Sequence, residues 1–334
     1  FETFREYDKC CYPFKGSLLQ QCVLCAPSLP QTVFTSCELG VFDAIQEAQR
    51  PLSAEELSVA VGASLDGMER LLAACTGLQL LETHQENGQG QNSEEASVYL
   101  TRSSPVSLYH SIQYSSKTIY LCWHYLTDAI RDGKNQYEKA FGVNSKDLFQ
   151  ALYRSDEEMV KFMRLMNSIW NICGRDVVTA FDLSPFKVIC DLGGCSGALA
   201  KHCTSAYPQC TVTIFDLPKV VHTSREHFVT QAHNRIGFHE GDFFKDPIPE
   251  ADLYILARIL HDWTDQCCVE LLTRVWCCAA GGGLLYEDGS GPLTAQLYSL
   301  NMLVQTEGRE RSAAQYSHRF TGKTYDAVLG CKDT

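Results

Sequence analysis

Asp191, Gly193, Gly194 and Gly197 fall in the stretch CDLGGCSGALA, residues 190–200, directly after an apolar run. An acid at a strand end followed by glycines lets backbone approach a ligand closely, and a helix beginning near Ser196 offers it free N–H groups. Asp216 closes the next apolar run 25 residues on. A carboxylate there can accept both hydroxyls of a ribose, so the two acids together signal a cofactor that carries adenosine. A dinucleotide site wants G-x-G-x-x-G at this turn, and Cys195 stands where the middle glycine would be. Asp191 also suits a sulfonium or amino group better than a pyrophosphate. The pattern favours S-adenosyl-L-methionine over NAD.

The elements that must position these residues alternate after residue 185. KVICDL, CTVTIFDL, IGFHEGDF, ADLYILARIL and GGGLLYED read as strands, and SGALAKHCTSAY, PKVVHTSREHFV and CCVELLTRVWCCAA read as helices. This alternation predicts an α/β fold, a Rossmann-like, mostly parallel sheet covered on both faces, with ligands at the carboxyl ends of its strands. Cys267, Cys268, Cys277 and Cys278 lie at helical spacing as core residues, and His202, His222 and His227 read as surface residues of flanking helices. Residues 32–81 carry helical periodicity, with a capping box made by Ser53 and Glu56. The polar, Gly/Asn-rich tip in LLETHQENGQGQNSEEASVYLT then predicts a winged helix with a loose hairpin. Its recognition-helix candidate, SLDGMERLLAAC, sets one cation, Arg70, against two acids, which points to packing or dimerisation rather than DNA. Residues 105–180 read as helical throughout.

Composition narrows the function classes. With 334 residues and 45% hydrophobic content, the chain can bury full-sized cores. A net charge of -12 disfavours nucleic acid. No apolar run reaches the roughly 18 residues of a membrane helix, and FETFREYDKC lacks the features of a signal peptide. The 17 cysteines are odd in number and scattered, as reduced thiols in a cytoplasmic protein would be, and CVLC at 22–25 has no partner pair for zinc, so no metal is expected.

DLGG-x-SGALA, FDLP, EGDFFKDPIPEADLYILARILHDWTD and LYSLNMLVQTEGRER together resemble the plant-type and animal small-molecule O-methyltransferases, over about residues 32–328. The resemblance implies three regions: a winged-helix-like dimerisation domain over 1–104, a helical linker contributing to the active site over 105–180, and a Rossmann-like methyltransferase domain over 181–334. It implies that His261 is the general base, that Asp262, Asn301 and Gln305 contact the substrate, and that Asp216 holds the ribose. Gly241, Asp242 and Phe243 would surround the adenine and Arg258 would bind the cofactor, with Tyr153 and Trp170 closing over it. The expected substrate is a small aromatic, hydroxyindole-like molecule, N-acetylserotonin first, and the expected assembly is a homodimer. A phenol of pKa about 10 needs a base of pKa near 6.5 to share its proton, which suits a histidine. A histidine after a buried strand equally serves as a cap or a hydrogen-bonded core residue, and Asp216 alone would be an N-cap before Pro218. Asn301 and Gln305, four apart, equally form a surface pair.

The chain departs from the family at four places. Cys195 replaces a glycine, which weakens cofactor binding if that residue has positive φ. GGGLLYEDGSGPL is short, so that Glu287 falls one residue out of phase with a partner for the base. Between QYSHRF and TGKTYDAVLG a helix and a strand are missing, which predicts an exposed sheet edge and points to a fragment or splice form. Pro27 and Pro30 would break the opening helix. These departures motivate an alternative, a catalytically impaired, dimerising relative with a structural or regulatory role.

Overall fold

The computed structural model describes residues 28–83, 88–143, 148–230, 233–274, 277–280, 284–286, 288, 290–312, 315 and 327–329. CVLC, Pro27, the hairpin tip at 84–87 and Glu287 lie outside them. The chain divides into two compact units, Phe1–Ser97 and Val98–Thr334.

In the first unit, α1 (Ser28–Leu39), α2 (Val41–Ala48), α3 (Ala54–Val61) and α4 (Leu65–Gly77) precede a two-stranded antiparallel hairpin, β1 (Leu81–Thr83) with β2 (Gly90–Asn92), and α5 (Glu94–Tyr99). The capping box is present: Ser53 Oγ accepts the Glu56 N–H at 3.2 Å, and the Glu56 carboxylate accepts the Ser53 N–H at 2.8 Å. Phe42, Leu57, Met68 and Cys75 of these helices form a buried centre. Pro30 does not break a helix. It sits in the first turn of α1, where a missing N–H goes unnoticed.

The second unit begins with α6 (Tyr109–Tyr114), a π-turn, α7 (Tyr120–His124), α8 (Leu126–Asp132), α9 (Tyr137–Phe141), α10 (Leu148–Leu152) and the long α11 (Asp156–Val178). The helical reading of 105–180 thus holds as a series of short helices before one long one. The alternating region follows as β3 (Val188–Leu192), α12 (Ala198–Ala206), β4 (Thr211–Asp216), α13 (Pro218–His227), β5 (Ile236–Glu240), β6 (Leu253–Ala257), α14 (Asp265–Arg274), β7 (Cys277–Ala280), β8 (Leu284–Leu285), α15 (Leu293–Gln305), β9 (Arg311–Ser312) and β10 (Ala327–Leu329). The main sheet has the order β10-β7-β6-β3-β4-β5, parallel except for β10, which runs antiparallel to β7.

Both faces of this sheet are covered, so its central strands read as continuous apolar runs. Ile189, Ile214 and Ile255 pack under Met166, Trp170, Leu199 and Cys203, while Cys190, Leu192, Phe215 and Leu256 pack under Leu260, Cys268 and Leu271. Successive strands lie to one side of β3 and then, from β6, to the other. The crevice at the carboxyl ends between β3 and β6 is the topological switch point where such sheets bind ligands.

Three sequence expectations are corrected here. CCVELLTRVWCCAA is not one helix: α14 ends at Arg274, and Cys277 and Cys278 belong to β7. A short apolar run carries no period that separates a buried strand from a buried helix. Nor is the sheet left unclosed beyond β7, because Ala327–Leu329 pair antiparallel with Cys278–Ala280. His202 is also half-buried rather than exposed, against Gly174 of α11, and burial lowers its pKa. No described helix is long and apolar enough to cross a membrane.

Candidate active site

The loop after β3 is built from left-handed backbone. Gly193 and Gly197 have φ of 70° and 71°, and Cys195, the residue that departs from the family, is held at 51°. For a residue with a Cβ this conformation costs roughly 1–2 kcal/mol. The expected strain is therefore present, and it does not unmake the loop. The Cys195 N–H donates to Asp216 Oδ2 at 2.9 Å, and the Leu217 N–H donates to Asp216 Oδ1 at 2.8 Å. At Gly193 a Cβ would stand 2.4 Å from Ile259 Cδ1, so a side chain there would displace the end of Ile259 as well as occupy a left-handed backbone position.

Asp191 and Asp216 end adjacent strands with their carboxyls out of solvent, at 2% and 9% exposure. Burial pushes Asp191 up to about 7, helped by the neighbouring Asp216 charge, and pushes Asp216 up to about 6 against its two backbone N–H donors. Asp191 Oδ2 has no hydrogen-bond partner among the described residues. Two such carboxyls suit a ligand that carries positive charge and hydroxyl groups, and they repel a pyrophosphate.

A cavity of about 760 Å³ opens at this switch point. Of the residues expected at the cofactor, Tyr153, Gly193, Asp216, Gly241, Asp242, Phe243 and Arg258 line it, as does Asp262 from the expected substrate set. Gly241 donates its N–H to the Asp216 carbonyl at 3.0 Å and lies against the Phe215 ring, where a Cβ would come within 2.8 Å. Burial would raise Asp242, but Lys245 at 2.7 Å and the Phe244 N–H outweigh it and hold this carboxyl low. Arg258 follows β6 in a left-handed conformation, φ 60°, a second strained residue in the same wall.

Trp170 does not close over the cavity. It is 5% exposed in the core beneath the sheet, and its helix contributes Phe162 and Met166 to the wall instead. Asp191 stands behind the loop rather than in the wall. Asn301 and Gln305 do not line the cavity either: Asn301 Oδ1 accepts from Gln305 Nε2 at 2.6 Å and from Trp123 Nε1 at 2.9 Å, a part-buried network rather than a surface pair.

His261 sits in a single turn of 3-10 helix, Leu260–Asp262, beyond the end of β6 and not on the strand itself. It is 3% exposed, and its turn neighbours Arg258, Ile259, Asp262 and Trp263 supply the cavity wall beside it. Its Nδ1 lies 3.0 Å from Oε1 of Glu310, whose side chain is fully buried, and its Nε2 lies 3.8 Å from Asp262 Oδ1. Against an ionised carboxylate, which only accepts, a neutral ring would donate from Nδ1 and keep Nε2 as an acceptor. Burial raises the Asp262 carboxyl, and the neighbouring His261 and Arg258 oppose that.

Glu310 was not singled out from the sequence, although it lies in the quoted LVQTEGRER. Neither were Gly308 and Arg311. A Cβ on Gly308 would fall 2.0 Å from the His261 carbonyl oxygen, so this segment packs backbone against backbone on the histidine's turn. The available signal was three consecutive charged residues, Arg309, Glu310 and Arg311, a few positions after the buried helix end at Gln305.

A switch-point cavity, a strand-end acid pair and an oriented histidine beside it are features of a methyl-transferring α/β domain. The sequence pattern of the O-methyltransferase domain matches residues 123–326, and that of the O-methyltransferase dimerisation domain matches residues 23–102. The chain belongs to the O-methyltransferase family. It is 58% identical over 323 residues to acetylserotonin O-methyltransferase of Gallus gallus, covering 90% of this chain and 93% of that protein. The Homo sapiens acetylserotonin O-methyltransferase is 49% identical, with 90% and 94% covered. The crystal structure of human N-acetylserotonin methyltransferase in complex with SAM superposes with a TM-score of 0.92 at 44% identity, covering 97% of this chain and all of that one.

Proposed function

We propose that this protein is an S-adenosyl-L-methionine-dependent O-methyltransferase that methylates the hydroxyl of N-acetylserotonin, with His261 as general base. The observation that carries the base assignment is the 3.0 Å contact of His261 Nδ1 with buried Glu310, which orients the ring behind the stretch of cavity wall that Arg258, Ile259, Asp262 and Trp263 supply, His261 itself not being among the lining residues. Gly193, Asp216, Gly241, Asp242, Phe243, Arg258 and Tyr153 would hold the cofactor, with Asp191 adding negative charge behind the loop. Both Asp216 oxygens already accept a backbone N–H, yet each retains a second lone pair for a ribose hydroxyl. When bound, the cofactor supplies a methyl group on a sulfonium centre.

The protein's own residues then do two things. The cavity would position the acceptor oxygen and exclude water, so that the C–O bond can form as the C–S bond breaks and S-adenosylhomocysteine leaves, and such positioning can supply a large share of the acceleration. His261 Nε2 takes the hydroxyl proton as the oxygen attacks, and the Glu310 carboxylate stabilises the imidazolium so formed. Asp262, in the wall next to the base, would contact the acceptor, and Asn301 and Gln305 would act through their network with Trp123. The dimerisation domain supports a homodimer as the working assembly.

Cys195 favours the alternative of an impaired relative, because its left-handed backbone is strained. The same residue supplies an N–H to Asp216, and that contact argues for a loop still built to bind. The test is product analysis with the cofactor and either N-acetylserotonin or N-acetyltryptamine, which lacks the hydroxyl. Methylated product from the first alone is expected. No product from either, with calorimetric binding of S-adenosylhomocysteine also absent, would establish the impaired reading.

A further inference from the structure

General-base catalysis needs the imidazole held at one angle, and the turn that carries His261 has only three residues of its own to do so. Arg311 supplies the rest. It is 4% exposed, and its donors fan out over that turn: Nη1 to the Leu260 carbonyl at 2.9 Å, Nη2 to the Trp263 carbonyl at 2.9 Å, and Nε to Asp265 Oδ1 at 2.8 Å. Nη1 also reaches the carbonyl of Arg309 at 3.3 Å. Leu260 and Trp263 bracket His261 and Asp262 in the chain. One planar guanidinium therefore ties down both ends of the segment that holds the base.

The same residue is anchored at its backbone, because Arg311 pairs with Leu284 across β8 and β9. Glu310 precedes it by one position and receives His261 Nδ1, and Gly308 lies against the His261 carbonyl. We propose that Arg311 is a positioning residue for the base, setting the relation between the His261 ring and the Glu310 carboxylate through the two carbonyls it holds. The role rests on the reading of His261 given above. An ordinary surface ion pair does not account for it, since Asp265 is 61% exposed in its side chain and such pairs are screened. The buried carbonyl contacts need a rigid fork, which lysine lacks.

The 334-residue protein tests this with Arg311→Lys, Gly308→Ala and Asp265→Asn. Three quantities are followed: kcat and KM for N-acetylserotonin, S-adenosylhomocysteine affinity, and the downfield His261 Nδ1–H proton resonance, identified by its loss in Glu310→Gln. Arg311→Lys and Gly308→Ala should each lower kcat by about 30-fold, with cofactor affinity within about twofold, on the scale expected for a slightly misplaced catalytic group. The resonance should shift or broaden in both. Asp265→Asn, which leaves the carbonyls held, should retain the resonance. The proposal is overturned if Arg311→Lys lowers only the melting temperature while kcat and the resonance stay native. A native chain that transfers no methyl group but keeps an Arg311-sensitive resonance would defeat the functional reading and leave the positioning role standing.

Discussion

The loop 193–197 and the turn 258–263 touch one another, with Ile259 set where a side chain on Gly193 would be, yet they are held in different ways. The loop is fixed by backbone: left-handed residues at 193, 195 and 197 and amide donors to Asp216. The turn is fixed by side chains that arrive about 50 residues later, Glu310 on the ring and Arg311 on the flanking carbonyls. The division is a chemical one. A cofactor with one fixed shape can be met by main chain, which tolerates few substitutions, whereas a base must be oriented through its own ring and needs charged partners in a dry setting. Damage on the loop side should therefore appear in cofactor affinity, and damage on the turn side should appear in kcat.

Apart from the base itself, the largest separation is expected at Glu310. Glu310→Gln should lower kcat by about 100-fold, a typical share for an oriented acid–base group, with S-adenosylhomocysteine affinity unchanged by calorimetry. Gly193→Ala should do the reverse. Its methyl group would meet Ile259 and occupy a left-handed position, so a destabilisation of about 1–3 kcal/mol in a denaturant melt and a marked loss of cofactor affinity are expected. If Gly193→Ala instead lowered kcat at full affinity, the division between the two sides would fail.

A third test uses pH. Folded Asp191 and Asp216 titrate near 7 and 6, above the ordinary value of 3.8, so the fold favours their protonated forms. Their contribution to stability is complete below about pH 4 and is lost as pH rises through 6 to 7. Thermal melts of ligand-free protein should show that decline, and Asp191→Asn should flatten it. Affinity for the cationic cofactor should rise over the same range as the carboxyls ionise. The smallest effect belongs to Cys195→Gly, which relieves a left-handed side chain and should stabilise the loop by about 1 kcal/mol and tighten cofactor binding a few-fold. A loss of affinity in this variant would mean the cysteine contributes contacts of its own.

The contrast also explains what could be read from the sequence. Asp191, the glycines and Asp216 are close in the chain and follow apolar runs whose ends are visible, so the loop and its strands were legible, as was the Ser53–Glu56 cap. Glu310 and Arg311 were not, because nothing local in TEGRER states that two charged side chains are buried against residues 260–263. Trp170 was misplaced for the opposite reason: its helix does border the cavity, but through Phe162 and Met166, and a helix face cannot be phased from one aromatic residue. The strand at Cys277–Ala280 was hidden within a continuous apolar run, and the pairing of Ala327–Leu329 with it depends on contacts far apart in sequence.

The central claim is that His261, set by Glu310, is the base for methyl transfer at a cofactor site held independently by the loop. The most direct test is the initial rate of N-acetylserotonin methylation by the native chain and by His261→Ala, with S-adenosylhomocysteine affinity measured on both. The account predicts a rate lower by about 1,000-fold at unchanged affinity. A variant that retains a rate within tenfold of native, or that loses its rate only because it no longer binds the cofactor, would contradict it.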